Sequence, residues 1–222
     1  MPEEGCVYVV DDDPAVGDSL RFMLGSVGLR TEVFSSAPEF LQRYNPGCPS
    51  CLVLDVRMPG MSGLELQEEM KQRGIAIPVI ILTAHGEVSA AARAFKNGAL
   101  DFLEKPCSDQ QLLDAVNKAL RTDRQWRQER QALSQIAACL ERLTERERDV
   151  LRLIVAGFSS REISQRFGLQ SKTVESHRMN ILRKMQARNV ADLVRQITQV
   201  AQSPWFPQWR FLLENLEAPS HP

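Results

Sequence analysis

CLVLDVRMPGMSG, residues 51–63, is the stretch on which the fold turns. Leu52, Val53 and Leu54 make a continuous apolar run that stops at Asp55, with the breaker pair Pro59-Gly60 just beyond. An apolar run of this length between turn residues reads as a strand covered on both faces, as in a parallel sheet flanked by helices. Its carboxyl end opens at the edge of that sheet. An acid there must be solvated, paired or at work, because burying an unpaired carboxylate is expensive.

Outward from this strand, residues 1–120 alternate short Val- and Ile-rich runs with longer segments of helical periodicity. The pattern predicts strands over 6–10, 30–34, 51–54, 78–82 and 100–103, and helices over 15–27, 37–44, 63–73, 87–97 and 109–120. Five such units predict an α/β, flavodoxin-like, doubly wound sheet of five parallel strands in the order 2-1-3-4-5. Polar residues then gather at the carboxyl ends: Asp11, Asp12 and Asp13 after the first strand, Asp55 after the third, Thr83 after the fourth, Lys105-Pro106 after the fifth. Clustered carboxylates repel unless a cation joins them, and a hard divalent ion such as Mg²⁺ suits oxygen ligands. A carboxylate beside a metal, a hydroxyl and an ammonium group has what phosphoryl acceptance needs: a nucleophile, a neutralising ion and two stabilisers of phosphoryl oxygens. Each part has a plainer reading. An acidic triplet is an ordinary helix start, and Asp13-Pro14 has the form of an N-cap followed by Pro at N1.

The chain has 222 residues, enough for two ordinary domains, and its net charge of -1 conceals an asymmetry. Residues 1–120 hold 10 Lys+Arg against 17 Asp+Glu, a net of -7, whereas residues 121–195 hold 16 against 9, a net of +7. An acidic half joined to a basic half predicts different partners, with a polyanion natural for the second. No apolar stretch approaches the about 20 residues of a membrane span, and the amino terminus lacks an export pattern, so the expected location is the cytoplasm. Five cysteines without framework spacing fit a reducing compartment, and Cys48-Pro-Ser-Cys51 has no second pair to complete a zinc site.

The ordered set VVDDDP, VLDVRMPGMSG, ILTAHG and DFLEKP resembles the receiver domain of bacterial two-component response regulators over about residues 5–120. The resemblance implies that Asp55 accepts a phosphoryl group from a sensor histidine kinase. It implies Mg²⁺ held by Asp11, Asp12, Asp55 and the backbone carbonyl of Arg57, with Asp11 acting through water. Thr83 and Lys105 would hold phosphoryl oxygens, Phe102 would be the switching aromatic partner of Thr83, and the Lys105-Pro106 peptide would be cis. His85 and Arg57 stand where the family varies and tunes phosphoryl lifetime. A rival is a haloacid-dehalogenase-type phosphatase, using Asp11 and Asp13 from the first strand. It would lack its later acidic metal motif, since only Asp109 and Asp114 follow Lys105, and it would give Asp55 no role.

Residues 121–140 read as a helical or partly ordered linker. Leu112, Ala119, Trp126, Leu133 and Leu140 recur every seven residues, but a full coiled coil needs a second apolar line. Residues 141–202 then carry helix punctuation of their own. Thr144 with Glu147 forms a capping box for a helix ending near Gly157. Ser160 is expected to cap a second helix that Gly168 ends, and Ser171 a third beginning at Lys172. Two short helices joined by a Gly-containing turn make a helix-turn-helix whose second member fits the major groove. Val174, Ile181, Leu182 and Met185 would face the core. Lys172, Glu175, Ser176, Arg178, Met179, Arg183 and Lys184 would point outward. Residues 159–188 hold seven Lys+Arg against two acids, which favours DNA over a protein-binding bundle.

LTERE, GFSSREI and KTVESHRMNILRKM resemble the DNA-binding domain of NarL/FixJ (LuxR-type) regulators, closest to the FixJ branch. Carried over by position, Lys172, Thr173, His177, Arg178, Asn180 and Lys184 would contact backbone, and Glu175, Ser176 and Met179 would read bases. The helix over about 189–201 would be the dimer surface on DNA. The whole chain would then be a transcription factor rather than an enzyme, homodimeric when phosphorylated, with its kinase, double-stranded DNA and, as a further candidate, RNA polymerase for partners. A module that answers phosphorylation by binding protein alone is the alternative. Residues 203–222 lie beyond the family pattern. Their two tryptophans, with Phe211, Leu212, Leu213 and Leu216 at helical spacing, predict a segment that docks on its own chain.

Overall fold

The computed structural model describes residues 5–45, 47–84 and 88–214. Five parallel strands, β1 (Cys6–Val10), β2 (Arg30–Phe34), β3 (Ser50–Leu54), β4 (Val79–Thr83) and β5 (Asp101–Glu104), form one sheet in the order β2-β1-β3-β4-β5. The apolar central runs dictate this. β1, β3 and β4 are buried at every residue, whereas the edge strand β2 is exposed or half-buried until Phe34. Helices α1 (Pro14–Ser26), α2 (Ala37–Arg43), α3 (Gly63–Gln72) and α4 (Val88–Lys96) connect them, each within a residue or two of the span that periodicity predicts. Alternate side chains of the central strands feed two cores. Tyr8, Val10, Leu52, Leu54 and Ile81 pack with Phe34, Phe40, Leu66 and Met70, while Val7, Val9, Val53, Ile80 and Leu82 pack with Leu20, Leu24, Leu112 and Val116. Two-sided burial is why these strands read as unbroken apolar runs.

The chain divides into two compact units, residues 1–127 and 128–222. Helix α5 (Asp109–Glu141) is continuous over 33 residues, so of the two forms expected for residues 121–140, helical or partly ordered, the helical one is present. Leu112, Ala115, Val116 and Ala119 belong to the first unit's core, and Leu133, Ala137 and Leu140 to the second's.

The second unit holds α6 (Glu145–Val155), α7 (Ser160–Phe167), α8 (Ser171–Lys184), α9 (Val190–Gln202) and a 3-10 segment (Pro207–Leu212). Thr144 and Glu147 form the predicted capping box. Two cap expectations shift. The cap of α7 is Ser159, not Ser160, because Glu162 lies three residues after Ser159 and closes a reciprocal box with its N–H. Ser171 is the first residue of α8 rather than its cap. Gln170 precedes it without a side-chain cap bond, and the Ser171 hydroxyl donates to that of Ser164 at 3.3 Å. Gly168, at φ 64°, ends α7 in the left-handed region and makes the turn between the two helices. Trp209 and Leu212 are buried in this unit's core beside Ile197 and Val200, so the tail docks on its own chain; Leu216 lies outside the described residues.

Candidate functional site

The carboxyl edge of the sheet brings three charged groups together. Asp55 follows β3 directly, and its N–H donates to the Val10 carbonyl at 2.9 Å, which sets it beside the end of β1. Asp11, next after β1, is likewise held by its N–H on the Phe34 carbonyl at 3.2 Å. The Lys105 ammonium, reaching over from the end of β5, donates to Asp11 Oδ2 at 2.6 Å and to Asp55 Oδ1 at 3.2 Å. The second oxygen of each acid accepts a backbone N–H, from Asp13 on Asp11 Oδ1 at 3.0 Å and from Arg57 on Asp55 Oδ2 at 2.7 Å. The Lys105 N–H donates to the Thr83 carbonyl at 2.8 Å, tying β5 to β4, and the Lys105-Pro106 peptide is cis.

Charge in this pocket is out of balance. Asp11 and Asp55 are 5% and 7% exposed, so two buried carboxylates share one ammonium. Burial pushes the Asp55 carboxyl above the ordinary carboxylate range, although Lys105 and the Arg57 N–H pull the other way. Burial also draws Lys105 down, but its bonds to Asp11 and the two negative charges hold it above the usual lysine value. The remaining negative charge and the hard oxygen donors fit a small divalent cation. Asp12 is exposed on the adjoining loop, and among the described residues no three acids, histidines or cysteines are placed to hold an ion. Asp13 caps α1 by accepting the Ala15 N–H at 2.9 Å.

In the second unit, α8 buries Val174 and Ile181, with Met185 buried at its C-cap, and exposes Lys172, Thr173, Glu175, Ser176, Met179 and Arg183. Met179 is 67% exposed on an otherwise polar face. His177, Arg178 and Asn180 are half-buried, and Nη1 of Arg178 is buried without a hydrogen-bond partner among the described residues. Lys184 is engaged inside the domain: its ammonium donates to the buried Glu147 carboxylate at 2.6 Å and to the Arg142 carbonyl at 3.3 Å. Burial would raise Glu147, but Lys184 and the Thr144 cap lower it below the usual glutamate value.

Comparison with known proteins decides the family. Residues 7–117 match the response regulator receiver domain, and residues 141–197 match the luxR family of bacterial regulatory proteins. The chain is 43% identical over 205 residues to the transcriptional regulatory protein FixJ of Azorhizobium caulinodans, covering 92% of this chain and 97% of that protein. It belongs to the NarL/FixJ family of response regulators. Nodulation protein W of Bradyrhizobium diazoefficiens is 43% identical over 189 residues, 85% of this response regulator and 83% of that protein. The solved structure of the response regulator StyR superposes with a TM-score of 0.70 at 41% identity, covering 88% of this chain and 99% of that one. A receiver domain implies a kinase partner, and a LuxR-type domain implies DNA binding; the family is one of regulatory transcription factors.

Of the residues that the sequence of this response regulator singles out, Asp11, Asp55 and Lys105 converge, with Arg57 joined through its N–H. Thr83 is 1% exposed at the end of β4, and Phe102 is half-buried against the core at the register position opposite Ile81. His85 lies outside the described residues. Three contributors escape the sequence reading. Gly63 is one: a Cβ there would stand 2.1 Å from the Asp55 carbonyl oxygen, so only glycine lets α3 close against the acid's backbone. Its place in MPGMSG is a visible signal. Asp123, buried against the start of β3, is another, and the third is the ion pair of Lys184 with Glu147, an acid that the sequence marks only as the capping partner of Thr144.

Proposed function

We propose that this response regulator is phosphorylated on Asp55 by a sensor histidine kinase in a Mg²⁺-dependent reaction, and that phosphorylation promotes dimerisation and sequence-specific DNA binding to regulate transcription in the cytoplasm. The observation that carries the reading is the Lys105 ammonium bridging Asp11 and Asp55 at the carboxyl edge of the sheet. An Asp55 carboxylate oxygen attacks phosphorus; the bond to the kinase imidazole nitrogen breaks as the new P–O bond forms. Arg57 N–H and Lys105 orient the acid, and Lys105 and the Thr83 hydroxyl receive the phosphoryl oxygens. Asp11, Asp12, Asp55 and the Arg57 carbonyl would hold Mg²⁺, which when bound neutralises phosphoryl charge. Phe102 follows Thr83 and alters the α4–β5 surface, through which two copies pair.

The reading divides the chain into a receiver (1–120), a helical linker (121–140), a DNA-binding domain (141–202) and an extension (203–222). Lys172, Thr173, His177, Arg178, Asn180 and Lys184 serve the DNA backbone, and Glu175, Ser176 and Met179 the bases. Lys184 takes that role by sharing its ammonium with Glu147. Pairing raises the effective concentration of the second DNA-binding domain at a two-half-site operator. Small phosphodonors with Mg²⁺ should label the wild type and leave Asp55→Asn unlabelled; label retained on another residue overturns the assignment. Duplex binding should weaken steeply with added salt, and no binding at low salt would favour the module that binds protein alone.

A further inference from the structure

On the outward face of α8, Lys172, Glu175, Met179 and Arg183 follow one another at three- and four-residue spacing, which aligns them in a single stripe. Cations stand at its two ends, about 16 Å apart along the axis at about 1.5 Å per residue, with Glu175 and Met179 between them. Neither central residue suits a polyanion by charge. Glu175 is exposed, and among the described residues it has no hydrogen-bond or ion-pair partner. A bare carboxylate carried toward phosphates is repelled unless a donor meets it. Met179, at 67% exposure, lies between Arg178 and Asn180 in sequence and beside Glu175, Ser176 and Arg183 on the helix face, while its one apolar helix neighbour, Leu182, packs against the core. The Ser176 hydroxyl between them already donates to the Lys172 carbonyl at 3.0 Å.

The chemistry of the major groove resolves both anomalies. In the major groove the cytosine amino donor has an acceptor on one side only, O6 of the paired guanine, whereas the adenine amino group lies between its own N7 and the O4 of thymine, both of which repel a carboxylate. The apolar feature of that groove is the thymine methyl. We propose that Glu175 selects cytosine and that Met179 selects the methyl of thymine, so that each half-site carries the two bases close together. Four residues separate the two side chains by about 6 Å along the helix, or roughly two base-pair steps of about 3.4 Å. This rests on the DNA-reading function proposed above and names what that surface reads.

The test uses the full-length chain treated with a small phosphodonor. Selection from random duplexes should enrich cytosine and thymine about two base pairs apart. Replacing that thymine by deoxyuridine removes the methyl alone and should weaken the wild type about fivefold to tenfold, while Met179→Ala should not distinguish the two duplexes. Glu175→Gln should shift the preference at its position from cytosine toward adenine, the base an amide reads. Both residues are exposed, and thermal melting checks that the variants stay folded. Specific duplex binding in which the variants keep the wild-type preference, or in which deoxyuridine costs nothing, overturns the inference and leaves DNA reading intact. No duplex binding by the folded wild type at low salt overturns both.

Discussion

Asp55 holds its negative charge in a buried place, and the consequence is measurable. Burial raises its pKa in the folded chain, so the native state keeps a proton at pH values where the unfolded chain has released it. Stability from this group is therefore full below the ordinary carboxylate pKa, falls as pH rises through the folded value and stays reduced above it. Asp55→Asn should melt higher than the wild type at pH 7, with the gap narrowing on acidification; a folded variant that melts lower at pH 7 would show that the pull of Lys105 outweighs burial. Gly63 acts through the backbone of the same acid. Gly63→Ala should cost about 2–3 kcal/mol, as overpacking a tight site does, and slow phosphodonor labelling of Asp55. Denaturant midpoints and labelling rates measure the two effects; an unchanged midpoint would show that the β3–α3 connection yields freely. At this scale the acids at strand ends were legible because strand polarity dictates where they emerge. Which of them share Lys105 was not, because that depends on register between β1, β3 and β5.

Helix α5 shows what an element's own pattern conceals. Thr122 and Asp123 are polar residues in the connector, yet the Asp123 carboxylate is 2% exposed. Its Oδ2 accepts the Ser50 N–H at 2.8 Å, at the start of β3, and the Arg127 guanidinium at 2.6 Å. The acid thus ties the helix to the opening of the strand that ends in Asp55. Asp123→Ala leaves a buried N–H and a cation without their acceptor and should cost about 2–3 kcal/mol. Amide exchange at Ser50 and along residues 121–127 should quicken with it, and Asp123→Asn, which keeps an acceptor oxygen, should fall between. Unchanged exchange in the alanine variant would sink this role. Helix and strand spans were readable from periodicity to within a residue or two over most of the chain. The capping serines were less so, because several adjacent serines compete and the partner three residues on decides.

Across the whole chain, each unit carries its own core, and the last described residues belong to the second. Trp209 and Leu212 are buried beside α6 and α9, and Arg148 and Arg130 stack over Trp209 and Trp205 at 5.7 and 5.8 Å. Removing residues 203–222 strips two large side chains from that core, which should destabilise the second unit by about 3–5 kcal/mol. Thermal melting of the truncated chain should show a lowered transition for the DNA-binding domain, with labelling of Asp55 unchanged. A truncated chain that melts as the full-length one does would make the tail an ornament of the surface.

Charge asymmetry, strand-end acids, helix periodicity and turn residues lie in the chain itself, since each is a local pattern set by backbone geometry and the cost of burial. From these the parallel sheet, its strand order and the helix-turn-helix follow, while the resemblance to the family is carried by motifs such as VLDVRMPGMSG and KTVESHRMNILRKM. Tertiary structure alone decided which charges meet: Lys105 with Asp11 and Asp55, Lys184 with Glu147, Asp123 with the start of β3. Those pairings join residues 37 to 94 positions apart, and no local pattern encodes a contact that exists only after strands and helices have packed.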